Sequence, residues 1–445
     1  MSVESVAEAQ NPWWRAPAQE YPAERFPVRR DLQPRVLEHL LRSGERRALV
    51  IHGPRQVGKT VLMLQTAEDL LRQGWPAANI TYFDFSDDRL PAASISPRQI
   101  ADLRSTGFMK DRPRIFLFDE ISRAERWTEW LKQAVDSSVG RFVLTDSAAS
   151  LIRDQSRESG FGRWDEISME GLSFSEFLRL QRPGDSAESV LELLPNATAR
   201  YLAAGGFPEH ARNEAFEDVR RRLRADIVDR AIMRDLILLG VDVVQARALF
   251  VYLVQASGSI FDAAARAREV GADPRSVRNW CRLLEDAKLL ASLTRRTSYP
   301  SARLRSKPKI YAADHGVVAA FAPIPDPLQA PQVRGAVIEA VVFRHLREAS
   351  DRLKGELSYF REGERLEIDF VVDLPDGVVA VEVTGSADVI PKLPSLSTAA
   401  RAARANRIML VHGGAERRER DGIRTIPLPY FLLNTDTCLE GETVS

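Results

Sequence analysis

The sequence predicts an α/β protein with a parallel-sheet domain, a helical segment and a second, separate α/β domain. Short apolar runs alternate with helix-forming segments up to about residue 180, which is typical of a parallel sheet. Helical patterns then fill residues 173–290, broken by Pro and Gly pairs. After about residue 300 strands return, with a hairpin pattern at 367–373 and 378–384 around Pro375-Asp376-Gly377.

Composition restricts the classes of function that fit this chain. Its 445 residues are 44% hydrophobic, which is enough for several cores. Lys plus Arg equals Asp plus Glu at 62 each, so contact with nucleic acid would need a local basic patch. Cys281 and Cys438 match no metal spacing and fit a reducing compartment. No secretory start and no apolar run near 18 residues is present, so we expect a cytoplasmic protein without membrane contact.

Residues 1–30 are expected to form an extended arm, because prolines recur at positions 12, 17, 22 and 27. Trp13 and Trp14 between them suggest that the arm packs through its indoles. A helix beginning at Asp31 then leads to the first apolar strand, Ala48–Ile51.

A glycine-rich turn follows that strand and precedes a helix predicted over Thr60–Arg72. Its residues match G-x-x-x-x-G-K-T: Gly53, Pro54, Arg55, Gln56, Val57, Gly58, Lys59 and Thr60. In such a loop backbone N–H groups surround a polyphosphate, the lysine ammonium reaches the β- and γ-phosphates, and the threonine hydroxyl binds Mg²⁺. The pattern predicts a nucleotide site with Mg²⁺, against the alternative of an ordinary strand-turn-helix.

An acidic pair ends a later apolar strand, Ile115–Phe118, about sixty residues downstream. In this pattern the first carboxylate, Asp119, orients magnesium and the second, Glu120, polarises the attacking water. Glu120 therefore favours hydrolysis over binding alone. The alternative is two solvated acids in a turn.

Further polar residues could complete the nucleotide site. The next strand, Phe142–Thr145, ends at Thr145, and either Thr145 or Ser147 could contact the γ-phosphate or its water, unless these are only turn residues. Arg153, Arg157 and Arg163 follow in a Gly-rich stretch. We prefer Arg163 as the source of transition-state charge, in cis or in a neighbouring subunit of a homo-oligomer, because flanking glycine lets a loop place it.

A series of motifs extends beyond the phosphate loop. They are GPRQVGKT at 53–60, YFDF at 82–85, FLFDEI at 116–121, LTDS at 144–147, ESGFGR at 158–163, LSFSEFL at 172–178, GGFPE at 205–209, KIYAADHG at 309–316, RGAVIEAVV at 334–342, EIDFVV at 367–372 and VEVTGS at 381–386. In this order the chain resembles prokaryotic AAA-type ATPases with a C-terminal domain of unknown function related to restriction endonucleases. The resemblance covers about 28–415 and implies ATP and Mg²⁺ as cofactors of an AAA-type P-loop core, followed by winged-helix-like and nuclease-like parts.

The sequence departs from that family pattern at two places. Asp146 stands where a glycine is common, and the last motif lacks its lysine. The resemblance implies a metal site at Glu339, Asp369 and Glu382, with Thr384 in place of the lysine. Strand alternation and a turn centred between Pro375 and Asp376 would place Asp369 directly opposite Glu382. Lys392 could substitute for the missing lysine from a different backbone position. The alternative is a retained fold that binds nucleic acid or protein, or that only carries surface acids on an amphipathic hairpin.

A second basic region suggests contact with double-stranded DNA. Asp273 and Pro274 begin a helix that carries Arg275, Arg278 and Arg282 opposite its apolar face. A predicted hairpin after it carries Arg295, Arg296, Arg303, Arg305, Lys307 and Lys309. Helix and hairpin together are typical of a winged helix that meets phosphates in adjacent grooves. Domain contacts are the alternative.

These observations divide the chain into six parts. They are an extended arm (1–30), an AAA-type P-loop core (31–180), a helical lid or linker (181–242), a winged-helix-like domain (243–300), a restriction-endonuclease-like domain (301–415) and a tail (416–445). The predicted function is a Mg²⁺-dependent ATPase that couples hydrolysis to conformational change of the C-terminal modules. The alternatives are an ATP-gated DNA nuclease or DNA-binding protein, and a slow NTP switch that scaffolds a protein partner.

Overall fold

A computed structural model describes residues 2–15, 26, 28–42, 44, 46–90, 95–103, 108–146, 162–181, 194–211, 215–225, 242–297, 300–363 and 366–441. The chain divides into an N-terminal unit, Met1–Glu170, and a C-terminal unit, Gly171–Ser445. Ser147, Arg153, Arg157 and half of the predicted lid at 181–242 lie outside the described residues. The helices in the described ranges are all too short or too polar to span a bilayer.

The N-terminal unit is built on a parallel sheet, as the alternation of strands and helices predicts. Its strands are β1 (Ala48–His52), β2 (Ile80–Asp84), β3 (Ile115–Asp119), β4 (Arg141–Asp146) and β5 (Trp164–Ser168). Its helices are α1 (Val3–Gln10), α2 (Gln33–Leu41), α3 (Lys59–Arg72), α4 (Pro97–Asp102) and α5 (Trp127–Asp136), with 3₁₀ turns at Pro12–Trp14, Ala77–Asn79 and Ile121–Arg123. The described strands pair in the order β2-β3-β4-β1-β5, all parallel. β1 and β3 are buried along their whole length, which explains their unbroken apolar sequences.

Residues 2–15 of the N-terminal arm are not extended, which corrects this part of the prediction for residues 1–30. Residues 3–10 form helix α1, since Ser2 caps the helix by accepting from the Ser5 N–H. The packing of the two indoles is confirmed, because Trp13 and Trp14 both donate to the carbonyl oxygen of Ile80, at 3.1 and 2.9 Å.

Asn11 satisfies the backbone of the edge strand β2. Its amide nitrogen donates to the Tyr82 carbonyl at 2.7 Å, and its amide oxygen accepts from the Tyr82 N–H at 2.8 Å. Gln10 makes the same type of contact with Asp84, accepting from its N–H at 2.9 Å. A sheet edge presents unpaired backbone groups, and here side-chain amides take the place of a neighbouring strand.

The C-terminal unit contains the remaining elements. Its helices are α6 (Phe174–Gln181), α7 (Leu194–Ala204), α8 (Phe216–Arg222), α9 (Val243–Gln255), α10 (Ala263–Val270), α11 (Pro274–Asp286), α12 (Pro300–Arg305), α13 (His315–Phe321), α14 (Pro331–Arg352), α15 (Leu393–Ala402), α16 (Leu428–Leu433) and α17 (Thr435–Glu440), with a 3₁₀ turn at Ile390–Lys392. Its strands are β6 (Ser259–Ile260), β7 (Leu290–Leu293), β8 (Lys309–Ala312), β9 (Glu356–Glu362), β10 (Leu366–Leu374), β11 (Gly377–Thr384), β12 (Arg407–His412), β13 (Arg418–Arg420) and β14 (Ile423–Pro427).

Two predicted boundaries need correction. Near the boundary predicted at residue 180, the compact N-terminal unit ends at Glu170. A boundary at residue 300 would cut a small antiparallel sheet of order β6-β8-β7, because β8 pairs with both β6 and β7. Residues from 416 onward are not a loose tail, since β14 pairs in parallel with β12 and its Ile423 is fully buried.

The larger sheet of the C-terminal unit has the order β13-β14-β12-β11-β10-β9 among the described residues. Strands β9, β10 and β11 are antiparallel, and β11, β12 and β14 are parallel. The predicted hairpin is confirmed, because β10 ends at Leu374 and β11 begins at Gly377. Helix α15 covers one face through a cluster that includes Leu396, Ala400 and Leu410.

A buried arginine on α14 joins several of the quoted motifs within the C-terminal unit. Arg344 is 1% exposed and donates to the carbonyl oxygens of Gly171, at 2.9 Å, and Leu172. Its guanidinium lies 3.5 Å from the carboxylate of Asp314, which in turn accepts from the Gly206 N–H at 2.8 Å. A buried cation is tolerated only when carbonyl oxygens and carboxylates surround it. The need of Arg344 for these partners explains why the motifs that contain Leu172, Gly206 and Asp314 lie together.

Replacing Asn11 by alanine is expected to destabilise the N-terminal unit. It leaves the N–H and C=O of Tyr82 buried without their partner, a loss of about 2–4 kcal/mol. The temperature of thermal unfolding of the full chain should fall by roughly 5–10 °C. Gln10→Ala is the matched control and should cost much less, because water reaches the partly buried Gln10 contact. Equal effects of the two changes would contradict this account of Asn11.

Candidate nucleotide site and carboxylate cluster

The strand order brings the predicted nucleotide residues to one edge of the parallel sheet. β4 lies between β1 and β3, and the carboxyl ends of parallel strands meet at the same edge. That edge carries the glycine-rich loop after β1, Asp119 at the end of β3 and Thr145 near the end of β4. The register pairs Ile51 with Thr145, so Thr145 is between the loop and the acidic pair, as the sequence suggests.

The loop adopts the backbone that a phosphate site requires. Gly58 has a φ of 97° and Gln56 a φ of 63°, both left-handed, so backbone N–H groups turn towards the loop interior. Gly53 has no room for a Cβ, because one built there would overlap the carbonyl of Met169. Helix α3 then begins at Lys59, and its N-terminus favours an anion in the loop.

Lys59 is buried at the base of this loop. Its ammonium donates to the carbonyl oxygens of Gly53 and Pro54, at 2.9 and 2.8 Å. Burial lowers the pKa of Lys59, while the charges of Glu120 and Asp119 oppose that shift. The lysine is thus held in place by neutral carbonyls with carboxylates nearby, which suits a cation that exchanges partners for phosphate oxygens.

Asp119 is buried within a set of hydroxyl groups. Its carboxylate accepts from the Thr145 hydroxyl, from Tyr82 at 3.2 Å and from Thr60. Burial raises the pKa of Asp119, whereas the hydrogen bonds from Thr145 and Thr60 lower it. The contact between Asp119 and Thr60 joins the two residues predicted to bind magnesium.

Glu120 follows β3 with a left-handed φ of 50°, which is unusual for a residue with a side chain. Its N–H donates to the Thr145 hydroxyl at 3.3 Å, and that same hydroxyl donates to Asp119. A strained backbone conformation of this kind is typically kept at functional sites. One hydroxyl on β4 therefore fixes both acids of the pair.

These residues fit a magnesium nucleotide. The loop offers backbone N–H groups and an ammonium for phosphates, and Thr60 is a hydrogen-bond partner of the Asp119 carboxylate. Magnesium in such sites completes its shell with phosphate oxygens and water, so two protein oxygens are enough.

The position of Arg163 does not allow it to supply transition-state charge to the phosphates of its own subunit. It precedes β5, and its carbonyl accepts from the N–H of Ala48 at the amino end of β1. The loop follows the carboxyl end of β1, about 15 Å away along the strand. The guanidinium instead forms a bidentate ion pair with Asp136, with nitrogen–oxygen distances of 2.9 Å. A role for Arg163 in a neighbouring subunit stays a prediction.

The structure also brings Glu339, Asp369 and Glu382 together. The register pairs Phe370 with Val381, which places Asp369 opposite Glu382 as predicted. The Asp369 carboxylate accepts from the Val383 N–H at 3.0 Å. Burial and the Asp369 charge raise the pKa of both Glu339 and Glu382.

The predicted three-carboxylate metal site is not formed. Among the described residues, His, Cys, Asp and Glu side chains form no group of three or more that could hold a metal ion. Positive charge comes from lysines instead. Lys392 donates to Glu382 at 2.9 Å and to the Val383 carbonyl at 3.1 Å, so it does reach the place of the missing lysine from another backbone position.

Lys309 is the second lysine of this cluster. Its ammonium lies 2.9 Å from Glu367, 3.6 Å from Asp369 and 4.0 Å from Glu339. The sequence pattern places Lys309 in a basic hairpin and does not reveal this contact. The available signal was a lysine inside an apolar strand of the KIYA motif, a position that is buried and needs acidic partners.

The predicted basic hairpin largely faces protein rather than solvent. Arg296 forms a bidentate ion pair with Asp373, at 2.8 and 2.7 Å, and Arg303 pairs with Glu356. Lys307 pairs with Asp262 at 2.5 Å. Neighbouring carboxylates thus offset part of the positive charge of this hairpin, and its contact with DNA phosphates stays a prediction. The helix start is confirmed, since Asp273 caps α11 with Pro274 in its first turn.

Comparison with known proteins supports the class of the N-terminal unit. Residues 45–178 match a family described as an AAA domain. Residues 196–328 and 334–431 match two families described as domains of unknown function, DUF8612 and DUF4143. This match to the AAA-domain family covers most of the N-terminal unit, and the parallel sheet and phosphate loop are consistent with ATP binding.

The chain is also similar to uncharacterised proteins. One from Haemophilus influenzae is 28% identical over 188 residues, which are 42% of this chain and 45% of that protein, so the matched part spans less than half of it. One from Mycobacterium tuberculosis is 26% identical over 400 residues, covering 87% of this chain and 81% of that protein. Among solved structures, the Aeropyrum pernix ORC2 protein shows 13% identity and a TM-score of 0.35, covering 74% of this chain and 97% of that one.

Replacing Thr145 by valine should weaken magnesium-dependent nucleotide binding. The change removes the hydroxyl that donates to Asp119, and a hydrogen bond to a charged group is worth about 1.5–3 kcal/mol, or roughly a tenfold to hundredfold loss of affinity. A fluorescent ATP analogue titrated with and without Mg²⁺ measures the effect. Thr145→Ser keeps the hydroxyl and should bind like the native chain. Unchanged affinity in Thr145→Val would contradict this role of the hydroxyl.

Proposed function

We propose that the chain binds Mg²⁺-ATP in the loop Gly53–Thr60 and hydrolyses it. Lys59 binds the phosphates, Thr60 and Asp119 hold magnesium, and Glu120 orients and deprotonates the attacking water. Thr145 keeps both acids in place. The observation that carries the proposal is the single hydroxyl of Thr145 bonded to both Asp119 and Glu120 beside the loop. Binding alone would need only the first carboxylate.

We further infer that hydrolysis is coupled to the C-terminal unit through the chain itself. β5 is hydrogen-bonded to β1, the strand that leads into the loop. Two residues after Ser168, the chain passes from Glu170 to Gly171, whose carbonyl is bound by Arg344. A shift of β5 would therefore pull on a segment that the buried Arg344 fixes within its own unit.

Changing Glu120 to glutamine should abolish turnover while leaving nucleotide binding intact. General-base catalysis contributes about 10²–10⁴-fold, so phosphate release from ATP should fall by at least roughly 10²-fold. The measurement is steady-state phosphate release with Mg²⁺, alongside the affinity for a fluorescent ATP analogue. Lys59→Ala is the contrasting variant and should lose binding as well as turnover.

The same assay decides between the ATPase and the slow NTP switch that scaffolds a protein partner. A native chain that binds nucleotide tightly but releases no phosphate would contradict the hydrolysis proposal and favour the switch. Turnover that persists in Glu120→Gln would instead contradict the role of Glu120 as the general base.

A second candidate function is contact with double-stranded DNA through α11. The order α9, β6, α10, α11, β7, β8 is that of a winged helix, with α11 in the position of the helix that enters the major groove. Arg275, Arg278 and Arg282 are exposed along this helix, in contrast to the neutralised hairpin cations. This proposal therefore assigns the phosphate contacts to the helix alone.

Replacing Arg275, Arg278 and Arg282 by glutamine should reduce the salt dependence of DNA binding. Each lost phosphate contact lowers the slope of log affinity against log salt by about 0.9, so three contacts lower it by about 2.7. Fluorescence anisotropy with a labelled duplex at several salt concentrations gives this slope. The charge-matched control changes three exposed arginines elsewhere to glutamine: Arg401 on α15, Arg404 just after it and Arg420 on β13. An equal slope in both variants would argue against α11.

A further inference from the structure

Lys309 is a buried cation shared by carboxylates from two other elements. It is 4% exposed on β8, and its ammonium faces Glu367 and Asp369 on β10 and Glu339 on α14, at 2.9, 3.6 and 4.0 Å. Tyr311, two residues further on the same strand, donates to Glu339 at 2.7 Å. One strand of the small sheet thus supplies both a cation and a hydrogen-bond donor to the cluster.

The charge of the cluster makes this ammonium necessary. Glu339, Glu367, Asp369 and Glu382 lie on adjoining elements, and unpaired carboxylates so close together repel one another. Burial alone would lower the pKa of Lys309, but Asp369, Glu339 and Glu367 outweigh it and raise the pKa. The lysine therefore stays charged, as a metal ion would.

Backbone hydrogen bonds just after β7 join the small sheet to β9, at the edge of the larger sheet. The Arg296 N–H donates to the Tyr359 carbonyl of β9 at 2.7 Å, and the Tyr359 N–H donates to the Thr294 carbonyl at 3.0 Å. The Arg296 guanidinium pairs with Asp373 on β10. Exposed ion pairs contribute little to stability, whereas breaking a buried pair is costly, so of these ion pairs those of Lys309 are the costliest to break.

We propose that Lys309 is an internal counter-ion that closes this carboxylate cluster to divalent cations and ties β8 to the larger sheet. Its ammonium occupies the position among Glu339, Glu367 and Asp369 where a cation would otherwise bind. Moving β8 away would expose a site of oxygen ligands suited to Mg²⁺ or Mn²⁺. The inference is independent of ATP hydrolysis, because it concerns a different part of the chain.

The test compares Lys309→Met with Lys307→Met in the full chain without nucleotide. Lys307 is exposed and pairs with Asp262 outside the cluster, so it is the matched control. Every protein also carries Asp119→Asn, which removes the predicted magnesium ligand of the nucleotide site. Thermal unfolding with and without Mn²⁺, and electron paramagnetic resonance of free Mn²⁺, report binding directly.

The expected result is a lower unfolding temperature for Lys309→Met, raised by Mn²⁺ by about 5 °C at a concentration of about 100 times Kd. The parent and Lys307→Met should show no Mn²⁺ shift and no bound Mn²⁺. Adding Asp369→Asn to Lys309→Met should remove the response. Binding of Mn²⁺ by the parent as tight as by Lys309→Met, or no binding by a folded Lys309→Met, would overturn the proposal.

A second variant keeps the test decisive if Lys309→Met does not fold. Lys309→Met with Glu367→Gln removes one charge of each sign and so leaves less repulsion, while Glu339, Asp369 and Glu382 remain. This double variant is also expected to bind Mn²⁺ where the parent does not. A folded double variant that binds none would contradict the role of Lys309.

Discussion

The burial of charge is the constraint on which this structure depends. An ion removed from water needs opposite charges or aligned dipoles around it, because desolvation costs several kcal/mol. Lys59 meets this need with two loop carbonyls, and Asp119 meets it with three hydroxyl groups. Arg344 uses carbonyls and Asp314, and Lys309 uses carboxylates. For Asp119, Arg344 and Lys309 the partners come from different elements, so satisfying one ion fixes the relative positions of several segments.

The sequence predicted well those features that depend on local pattern. Unbroken apolar strands, the glycine-rich loop and the Asp119-Glu120 pair follow from residue order alone, and strand alternation gave the opposition of Asp369 and Glu382. The strand order of the parallel sheet decides that Thr145 reaches both acids. Periodicity gives no strand order, so this contact could only be suggested.

The errors share a physical cause, which is pairing between residues distant in sequence. Arg163 seemed suitable because glycine flanks it, but the register of β5 with β1 places it at the opposite end of the strand from the loop. The same cause hides the acidic partners of the basic hairpin, Asp373, Glu356 and Asp262, because no local pattern indicates them. The final residues seemed detached because β14 pairs in parallel with β12, and a parallel pairing leaves no hairpin pattern in the sequence.

The positions of the two lysines change how the departure from the nuclease-like pattern is understood. Thr384 lacks a charge, yet Lys392 reaches Glu382 from a turn, so the loss of one lysine in the motif is offset nearby. Lys309 then adds a second cation from β8, which lies outside the sheet that carries Asp369 and Glu382. A metal ion needs a site with excess negative charge and free oxygen lone pairs, and an ammonium bound to those oxygens removes both. The same contacts that neutralise the cluster hold β8 in place, so access of a cation and movement of β8 are one equilibrium rather than two.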